Sequence, residues 1–239
     1  MIGCFLLLVT PLPWAAEKSV LSQAEQIREE IVVTADRNAQ PLRHTGNSIS
    51  VISKEQIENR GFDFASEAMR QIPGLSVNQS GPIGSATQVR IRGAEANHTL
   101  VLIDGFNAND PAIGSEFNFA DLTTFDVDQI EVVRGSQTAL YGSDTIGGVI
   151  NLITSTPDKT GFSGKASVRA GNNKSGLYLL NLNSKGERHY VLTNFSKYNT
   201  DGTNASLMGS EEDGYENQTE LLKFGFELTQ ELTATLQAR

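Results

Sequence analysis

Side chains that could do chemistry are scattered along this sequence of 239 residues. The three histidines, His44, His98 and His189, stand alone, and no two of them have the spacing of metal ligands. Ser143 and Asp144 lie in a glycine-rich stretch that lacks the pattern of a nucleophile elbow. Neither the Walker phosphate-binding pattern nor the dinucleotide-binding glycine pattern occurs. The sequence therefore predicts a protein that is not an enzyme.

Charge and cysteine content narrow the class of protein further. The formal net charge is −9 and no basic block could neutralise phosphates, so nucleic acid is not an expected partner. The single cysteine, Cys4, lies in a short apolar run that is followed by the small residues Ala15 and Ala16. This pattern predicts a signal peptide over residues 1–16, although no Lys or Arg precedes the apolar run. The mature chain would then have no disulfide and no thiol chemistry.

The clearest structural pattern lies in Val127–Ser155. An apolar strand ends at Arg134–Gly135, one helical turn fits Thr138–Tyr141, and Val149–Ile153 is a second apolar strand. Both strands are rich in β-branched residues. Periodicity alone would fit an ordinary α+β core.

Two helices are expected before this stretch. Ser53 with Gln56 three residues later is a capping box, and Gly61 is placed to end that helix. Asp63 is expected to cap a second helix that continues through Ile72. The first two thirds of the chain therefore predict an α+β domain.

After Gly161 the sequence alternates between apolar and polar residues in five successive runs. Alternation in long strands separated by turns is typical of a membrane β-barrel, and a soluble β-meander would give the same pattern. The connections at Ser184–Glu187 and Gln230–Glu231 are short, whereas Asn199–Asn217 is long. Short periplasmic turns and long outer loops in barrels would place Asn199–Asn217 at the cell surface.

Four ordered motifs give a more specific indication than periodicity does. They are EEIVVTADR, RQIPGLSV, the pair RIRG and LVLIDG, and the run VVRGSQTALYGSDTIGGVINLIT. From about Ile31 to Ser155 the chain resembles TonB-dependent outer-membrane receptors, and the sequence of the motifs is most similar to that of cobalamin (vitamin B12) receptors. The resemblance implies an α+β plug domain followed by antiparallel strands of an incomplete transmembrane β-barrel, in the outer membrane of a Gram-negative bacterium.

The resemblance also implies a division of the chain. It predicts a signal peptide at 1–16, a flexible segment with the TonB box at 17–37, a plug domain at 38–156 and the first barrel strands at 157–239. Plugged transporters have about 22 strands, so the five strands expected here would be a fragment or a truncated product.

A β-prone pentapeptide near the start matches the TonB box of this family. It consists of Ile31, Val32, Val33, Thr34 and Ala35. An extended segment of this kind could add a strand to the sheet edge of TonB, the periplasmic energy transducer. The alternative is a plain first strand of the plug domain.

Two arginines, Arg92 in RIRG and Arg134 in VVRG, match positions that pair with barrel-wall glutamates in the family and hold the plug in place. Guanidinium groups can make bidentate bonds to carboxylates. The alternative is an exposed strand charge of little energetic consequence. The expected glutamates would lie beyond Arg239.

Substrate contacts are expected in two apical loops of the plug, because loops on a rigid scaffold carry specificity. The predicted residues are Gly81, Pro82, Ile83, Gly84, Ser85, Asn107, Asn109 and Asp110. The mostly small and polar residues of these two loops suit a large ligand that forms hydrogen bonds.

An acidic loop could hold calcium. In cobalamin receptors acidic outer loops bind calcium, and Asp201, Glu211 and Asp213 occupy the matching loop here. Hard oxygen ligands suit this ion, although a solvated acidic loop would look the same. Apart from this calcium, no cofactor is predicted.

The resulting hypothesis is the N-terminal part of a TonB-dependent receptor for energised uptake, with cobalamin as the expected ligand and the outer-membrane lipid as surroundings. A ferric-siderophore receptor is the alternative within transport. A truncated plug that binds ligand or TonB without transport is the alternative in another class.

Overall fold

A computed structural model of the protein describes residues 32–33, 40–41, 46–206, 209–229 and 232–239. The predicted signal peptide and the box residues Ile31, Thr34 and Ala35 lie outside these residues. The other two box residues form strand β1 (Val32–Val33), which pairs antiparallel with β2 (Gln40–Pro41).

A mixed α/β domain occupies residues 46–156 and is called the N-terminal domain below. Its strands are β3 (Ser48–Ser53), β4 (Leu75–Gln79), β5 (Thr87–Ile91), β6 (Thr99–Ile103), β7 (Phe106–Asn107), β8 (Val127–Arg134) and β9 (Gly148–Thr154). Its helices are α1 (Lys54–Arg60), α2 (Ala65–Met69) and α3 (Thr138–Tyr141), with 3₁₀ turns at Ala96–His98, Pro111–Ile113 and Ser143–Thr145. The main sheet has the order β3-β8-β9-β6-β7, and β4 pairs with β5 in a separate hairpin. Within the main sheet β6 and β9 are parallel, and the other pairs are antiparallel.

Helix α1 begins and ends as its sequence predicts. The Ser53 hydroxyl accepts the Gln56 N–H, and the Gln56 side chain accepts the Ser53 N–H in return. Gly61 closes the helix in the left-handed conformation at φ 66°, which glycine adopts without steric cost. The capping-box prediction is confirmed.

Helix α2 differs from the prediction. It is capped by Phe64 instead of Asp63 and ends at Met69 instead of continuing through Ile72. The Glu67 carboxylate accepts the backbone N–H groups of Asp63 and Phe64 at 2.9 and 3.1 Å. Because Glu67 satisfies these donors, the Asp63 side chain is available for a distant partner.

The core lies where the central strands meet α1, α2 and the β4–β5 hairpin. Its fully buried members include Met69, Ile91, Ile130, Ile150 and Leu152. Strands β8 and β9 are buried on both faces, with Val133 and Val149 in a second cluster on the other face of the sheet. Burial on both faces explains why apolar residues follow one another directly at Val132–Val133 and Val149–Ile150 instead of alternating with polar ones.

Five antiparallel strands follow and are called the strand sheet below. They are β10 (Gly161–Ala170), β11 (Gly176–Lys185), β12 (His189–Thr200), β13 (Tyr215–Glu227) and β14 (Thr233–Ala238), paired in sequence order. The predicted five strands are therefore present, and the longest connection between them runs from residue 201 to 214. Among the described residues, no helix is both long enough and apolar enough to cross a membrane.

Candidate functional site

The N-terminal domain lies against one face of the strand sheet. On β13 Leu221 and Lys223 are buried on the side of the N-terminal domain, whereas Leu222, Phe224 and Phe226 are exposed on the other face. Successive side chains point to opposite faces of a strand. The strand sheet therefore has an inner face toward the N-terminal domain and an outer apolar face.

Ion pairs cross the contact between the two units with one consistent polarity. In each pair between described residues, the carboxylate belongs to the N-terminal domain and the cation to the strand sheet. The pairs are Glu58–Lys165, Asp63–Arg169, Asp104–Lys223 and Asp126–Arg239.

Among the ion-paired lysines that the structure describes, Lys223, the partner of Asp104, has the least exposed side chain. The Lys223 side chain is 5% exposed, and its Nζ lies 3.3 Å from Asp104 Oδ2. Lys223 also donates to the hydroxyl and the backbone carbonyl of Thr154. Asp104 in turn accepts the Thr154 N–H at 2.8 Å and its hydroxyl at 2.6 Å. The end of β9, the turn after β6 and the middle of β13 are thus joined by one network.

The pair between Asp126 and Arg239 is bidentate. Arg239 Nε lies 2.7 Å from Asp126 Oδ2, and Nη2 lies 3.3 Å from Oδ1. The Asp126 side chain is 2% exposed. A buried carboxylate needs such a partner, because desolvation of an unpaired charge is costly.

Asp63 lies at the edge of the contact, where Arg169 donates to its carboxylate. Burial raises the pKa of Asp63, and the Arg169 guanidinium and its hydrogen bond oppose this by lowering it. The pKa stays above the usual value, so desolvation is the larger effect here. Glu58 and Lys165 are both largely exposed, and their pair contributes little.

Aromatic rings join the start of β13 to the N-terminal domain. The Tyr215 ring lies 6.0 Å from that of Phe64 and 6.1 Å from that of Tyr198. The Tyr215 hydroxyl donates to Asp121 Oδ1 at 2.8 Å. Gly84 packs directly on the Tyr215 ring, and a Cβ at this position would overlap it.

A cavity of about 380 Å³ lies between α1 and the inner face of β10 to β12. Asparagine side chains line the strand side: Asn183 donates to Asn181 Oδ1 at 2.6 Å, and Asn181 donates to Asn194. Lys54 and Ile57 line the helix side. The contact between the two units is therefore polar and incompletely filled.

The structure brings Arg92 and Arg134 together at the Pro73–Gly74 turn. Arg134 Nη1 donates to the Pro73 carbonyl at 2.6 Å, and the Arg92 backbone N–H donates to the Gly74 carbonyl at 2.8 Å. Arg134 Nε is buried without a partner among the described residues. Because two like charges converge on one turn, a carboxylate there would be favourable. Their pairing with barrel glutamates stays a prediction.

The first predicted ligand loop, Gly81–Ser85, is a tight turn. The Ser85 N–H donates to the Pro82 carbonyl at 3.0 Å. Ile83 is 43% exposed and Gly84 contacts Tyr215. Part of this loop is therefore open to solvent, and its ligand contacts stay a prediction.

The second predicted ligand loop uses its polar side chains internally. Asn109 accepts the Val101 N–H and donates to the carbonyls of Thr99 and Ser115, at 2.7 to 3.0 Å. Asn107 Oδ1 accepts the Asn109 N–H at 2.9 Å. Asp110 Oδ1 accepts the Ala112 N–H at 2.8 Å and caps a 3₁₀ turn. In this state the three side chains brace the loop, and their ligand contacts stay a prediction.

The predicted calcium residues lie in one loop with separate partners. Asp201 Oδ2 lies 2.6 Å from Lys174 Nζ, and Asp213 Oδ2 accepts the Ala205 N–H at 2.7 Å. Glu211 is exposed. In the part of the chain that the structure describes, no three His, Cys, Asp or Glu side chains form a group that could hold a metal ion. The calcium site therefore stays a prediction.

Sequence reasoning did not identify the basic residues of the inner face as ion-pair partners of the N-terminal domain. Lys165, Arg169 and Lys223 alternate with outward residues as ordinary polar positions would. The available signal was an aspartate at the end of each of two strands: Asp104 directly follows β6, and Asp126 directly precedes β8. These carboxylates lie at strand ends, where a second unit could reach them.

Comparison with known proteins agrees with this architecture. The family described as TonB-dependent Receptor Plug Domain matches residues 41–149, inside the predicted plug domain. The chain is 37% identical over 175 residues to the vitamin B12 transporter BtuB of Photobacterium profundum, covering 73% of this chain and 28% of that protein. It is 33% identical over 218 residues to the BtuB of Vibrio vulnificus (strain YJ016), covering 89% of this chain and 34% of that protein. The chain thus spans about a third or less of these relatives' length.

Solved structures show the same fold. The pyoverdine outer membrane receptor FpvA from Pseudomonas aeruginosa PAO1 matches with a TM-score of 0.71 and 20% identity, covering 85% of this chain and 28% of that one. The siderophore receptor PirA from Acinetobacter baumannii matches with a TM-score of 0.65 and 22% identity, covering 87% and 32%. These similar proteins are receptors and transporters, in agreement with the prediction of a chain that is not an enzyme. The N-terminal domain is a TonB-dependent receptor plug domain, and with the strand sheet it forms the part of the chain that corresponds to the N-terminal part of outer-membrane receptors of this family.

Proposed function

We propose that this chain is the plug and first wall strands of a TonB-dependent receptor that takes up cobalamin across the outer membrane. The observation that carries the proposal is its similarity, at 33 to 39% identity, to three proteins named vitamin B12 transporter BtuB. The solved siderophore receptors are less similar, at 20 to 24% identity, and support the fold alone.

The geometry is compatible with this role. The plug is attached to the strand sheet by ion pairs of mixed strength, two enclosed and two more exposed. The cavity beside α1 leaves that edge of the plug incompletely packed. A plug held in this way can resist leakage and still be displaced by a pulling partner.

TonB is the proposed partner at the segment Ile31–Ala35. Two of its residues, Val32 and Val33, already form a strand that pairs with Gln40 and Pro41. Capture by TonB would replace this two-residue pairing with a longer strand addition.

Ligand binding by the full-length receptor tests the proposal. Calorimetry should give tight binding of cyanocobalamin and no measurable binding of ferric siderophores at the same concentration. Binding of a ferric siderophore instead would favour the alternative uptake function. Binding of cyanocobalamin without TonB-dependent uptake would favour a plug that binds without transport.

A further inference from the structure

We propose that Tyr215 is a positioning residue that couples the plug loop Gly81–Ser85 to the strand-sheet loop 201–214. This inference deepens the proposed function and rests on it, because Gly81–Ser85 is a proposed ligand contact. The proposal rests on the position of Tyr215. Its ring contacts Gly84 in the plug loop, and it is the first residue of β13, which follows the 201–214 loop.

Tyr215 contacts the plug loop directly. Gly84 has φ +87°, and its missing side chain lets the loop lie against the Tyr215 ring. A neighbouring residue on the same loop, Ile83, is exposed and could meet a ligand. A ligand that presses on this loop therefore presses on the ring.

The plug restrains the Tyr215 side chain by a hydrogen bond and a ring contact. Its hydroxyl donates to Asp121 at 2.8 Å, and its ring contacts Phe64. Phe64 packs edge-on against Tyr198 at 5.6 Å, so two strands contribute to the cluster. The plug therefore holds the start of β13 from two sides.

Tyr215 lies at the neck of the 201–214 loop, which Thr200, Gly202 and Asp213 also form. Tyr215 lies opposite Thr200 in the β12–β13 pairing. The Thr200 hydroxyl accepts the Gly202 N–H at 3.0 Å, and Gly202 lies so close to the Asp213 carbonyl that a Cβ would overlap it. A shift at Tyr215 therefore changes the closure of the neck.

Hydrogen exchange of the full-length receptor without ligand tests the coupling. Gly84→Ala should speed exchange on the order of tenfold in residues 201–206 and 209–214, because the added Cβ displaces the ring. Gly114→Ala is the matched control: Gly114 has φ +78° in another plug loop, and no atom lies near a Cβ there. It imposes similar backbone strain without the overlap and should leave the 201–214 loop unchanged.

A second background makes the test specific. With Tyr215→Ala already present, Gly84→Ala should have no further effect on exchange in 201–214. Equal acceleration in both backgrounds, or none in either, overturns the proposal. Tyr215→Ala alone should speed exchange in residues 80–86, whereas Tyr215→Phe, which keeps the ring, should restore most of the protection. Equal exchange rates in residues 80–86 for Tyr215→Ala and Tyr215→Phe would also contradict the proposal.

Binding of cyanocobalamin separates this inference from the proposed function. Tyr215→Ala should weaken binding and Tyr215→Phe should largely restore it. If the wild-type receptor does not bind cyanocobalamin, the proposed function fails, and the exchange experiments still decide whether Tyr215 couples the loops.

Discussion

Lys223 and Asp104 are 119 residues apart in the sequence, and their charged atoms lie 3.3 Å apart between the plug and β13. The lysine is almost completely enclosed, and Thr154 shares both partners. Because the lysine side chain is buried, its ion pair with Asp104 offsets part of the cost of removing its charge from water. The pair fixes the end of the parallel β6–β9 unit to the strand sheet.

Lys223→Met should destabilise the attachment of the plug by about 3 kcal/mol, because the carboxylate of Asp104, which is only 16% exposed, is left without its cation. The measurement is hydrogen exchange across Thr99–Ile103 and Gly148–Thr154 in the full-length receptor. Lys54→Met is the matched control: Lys54 pairs with Asp128 at 2.7 Å but is 51% exposed, so its loss should cost less than about 1 kcal/mol. Equal effects of the two variants would contradict the prediction.

Replacing both Arg92 and Arg134 by alanine should loosen the plug, because the proposed carboxylate partners would be left unpaired. Faster amide exchange across Val127–Arg134 and Gly148–Thr154 is expected in the full-length receptor. Arg90→Ala serves as control, because Arg90 is exposed on β5 and its side chain donates to Gln88 at 3.3 Å. Unchanged protection in the double variant would leave the two arginines as structural supports of the Pro73–Gly74 turn.

Arg169→Gln should raise the pKa of Asp63 further, because the guanidinium is what opposes the desolvation of that carboxyl. The pKa is already raised, so the contribution of Asp63 to stability is complete below 3.8, its ordinary value, and is lost as pH rises through the folded-state pKa. The substitution should move the upper end of that window to higher pH. Carboxyl ¹³C shifts of labelled receptor check this, with Lys165→Gln as a control that leaves Asp63 unchanged.

Val33→Pro should abolish energised uptake and leave ligand binding intact, because proline removes a backbone donor needed for strand addition. Val33→Ala keeps that donor and should retain most of the uptake. Radiolabelled ligand uptake and equilibrium binding in cells distinguish the two steps. Wild-type uptake by the proline variant would refute the TonB-box assignment.

If Asp201 is a calcium ligand, Lys174→Met should tighten calcium binding by up to about fivefold, because Asp201 no longer pairs with Lys174 at 2.6 Å. Glu211→Gln with Asp213→Asn should weaken it. Calorimetry of the full-length receptor measures both, with Lys197→Met as control, since Lys197 pairs with Glu216 instead. Identical titrations for all variants would indicate that the carboxylates of the 201–214 loop are solvated and do not bind calcium.

Local patterns determined much of the architecture. The strand, helical turn and strand within Val127–Ser155 follow from apolar runs interrupted by glycines, and the structure has them as β8, α3 and β9. The capping box at Ser53 depends on residues three apart, so it could be read directly from the sequence. The alternation after Gly161 likewise predicted five strands and one long loop, because side chains alternate along any extended chain.

Tertiary structure decided which strands pair and which side chains contact each other. The parallel pairing of β6 with β9 joins segments about 50 residues apart, and no local pattern specifies a partner at that distance. Alternation divides β13 into two faces but does not say which one the plug will cover, so Lys223 read as an ordinary polar position. The sequence pattern predicted Asp63 as a helix cap. In the structure Glu67 accepts the backbone N–H groups at the start of α2, and Asp63 forms an ion pair with Arg169 on β10. Burial and charge pairing depend on surfaces that meet only in the folded chain, which is why the attachment of the plug was decided by the fold.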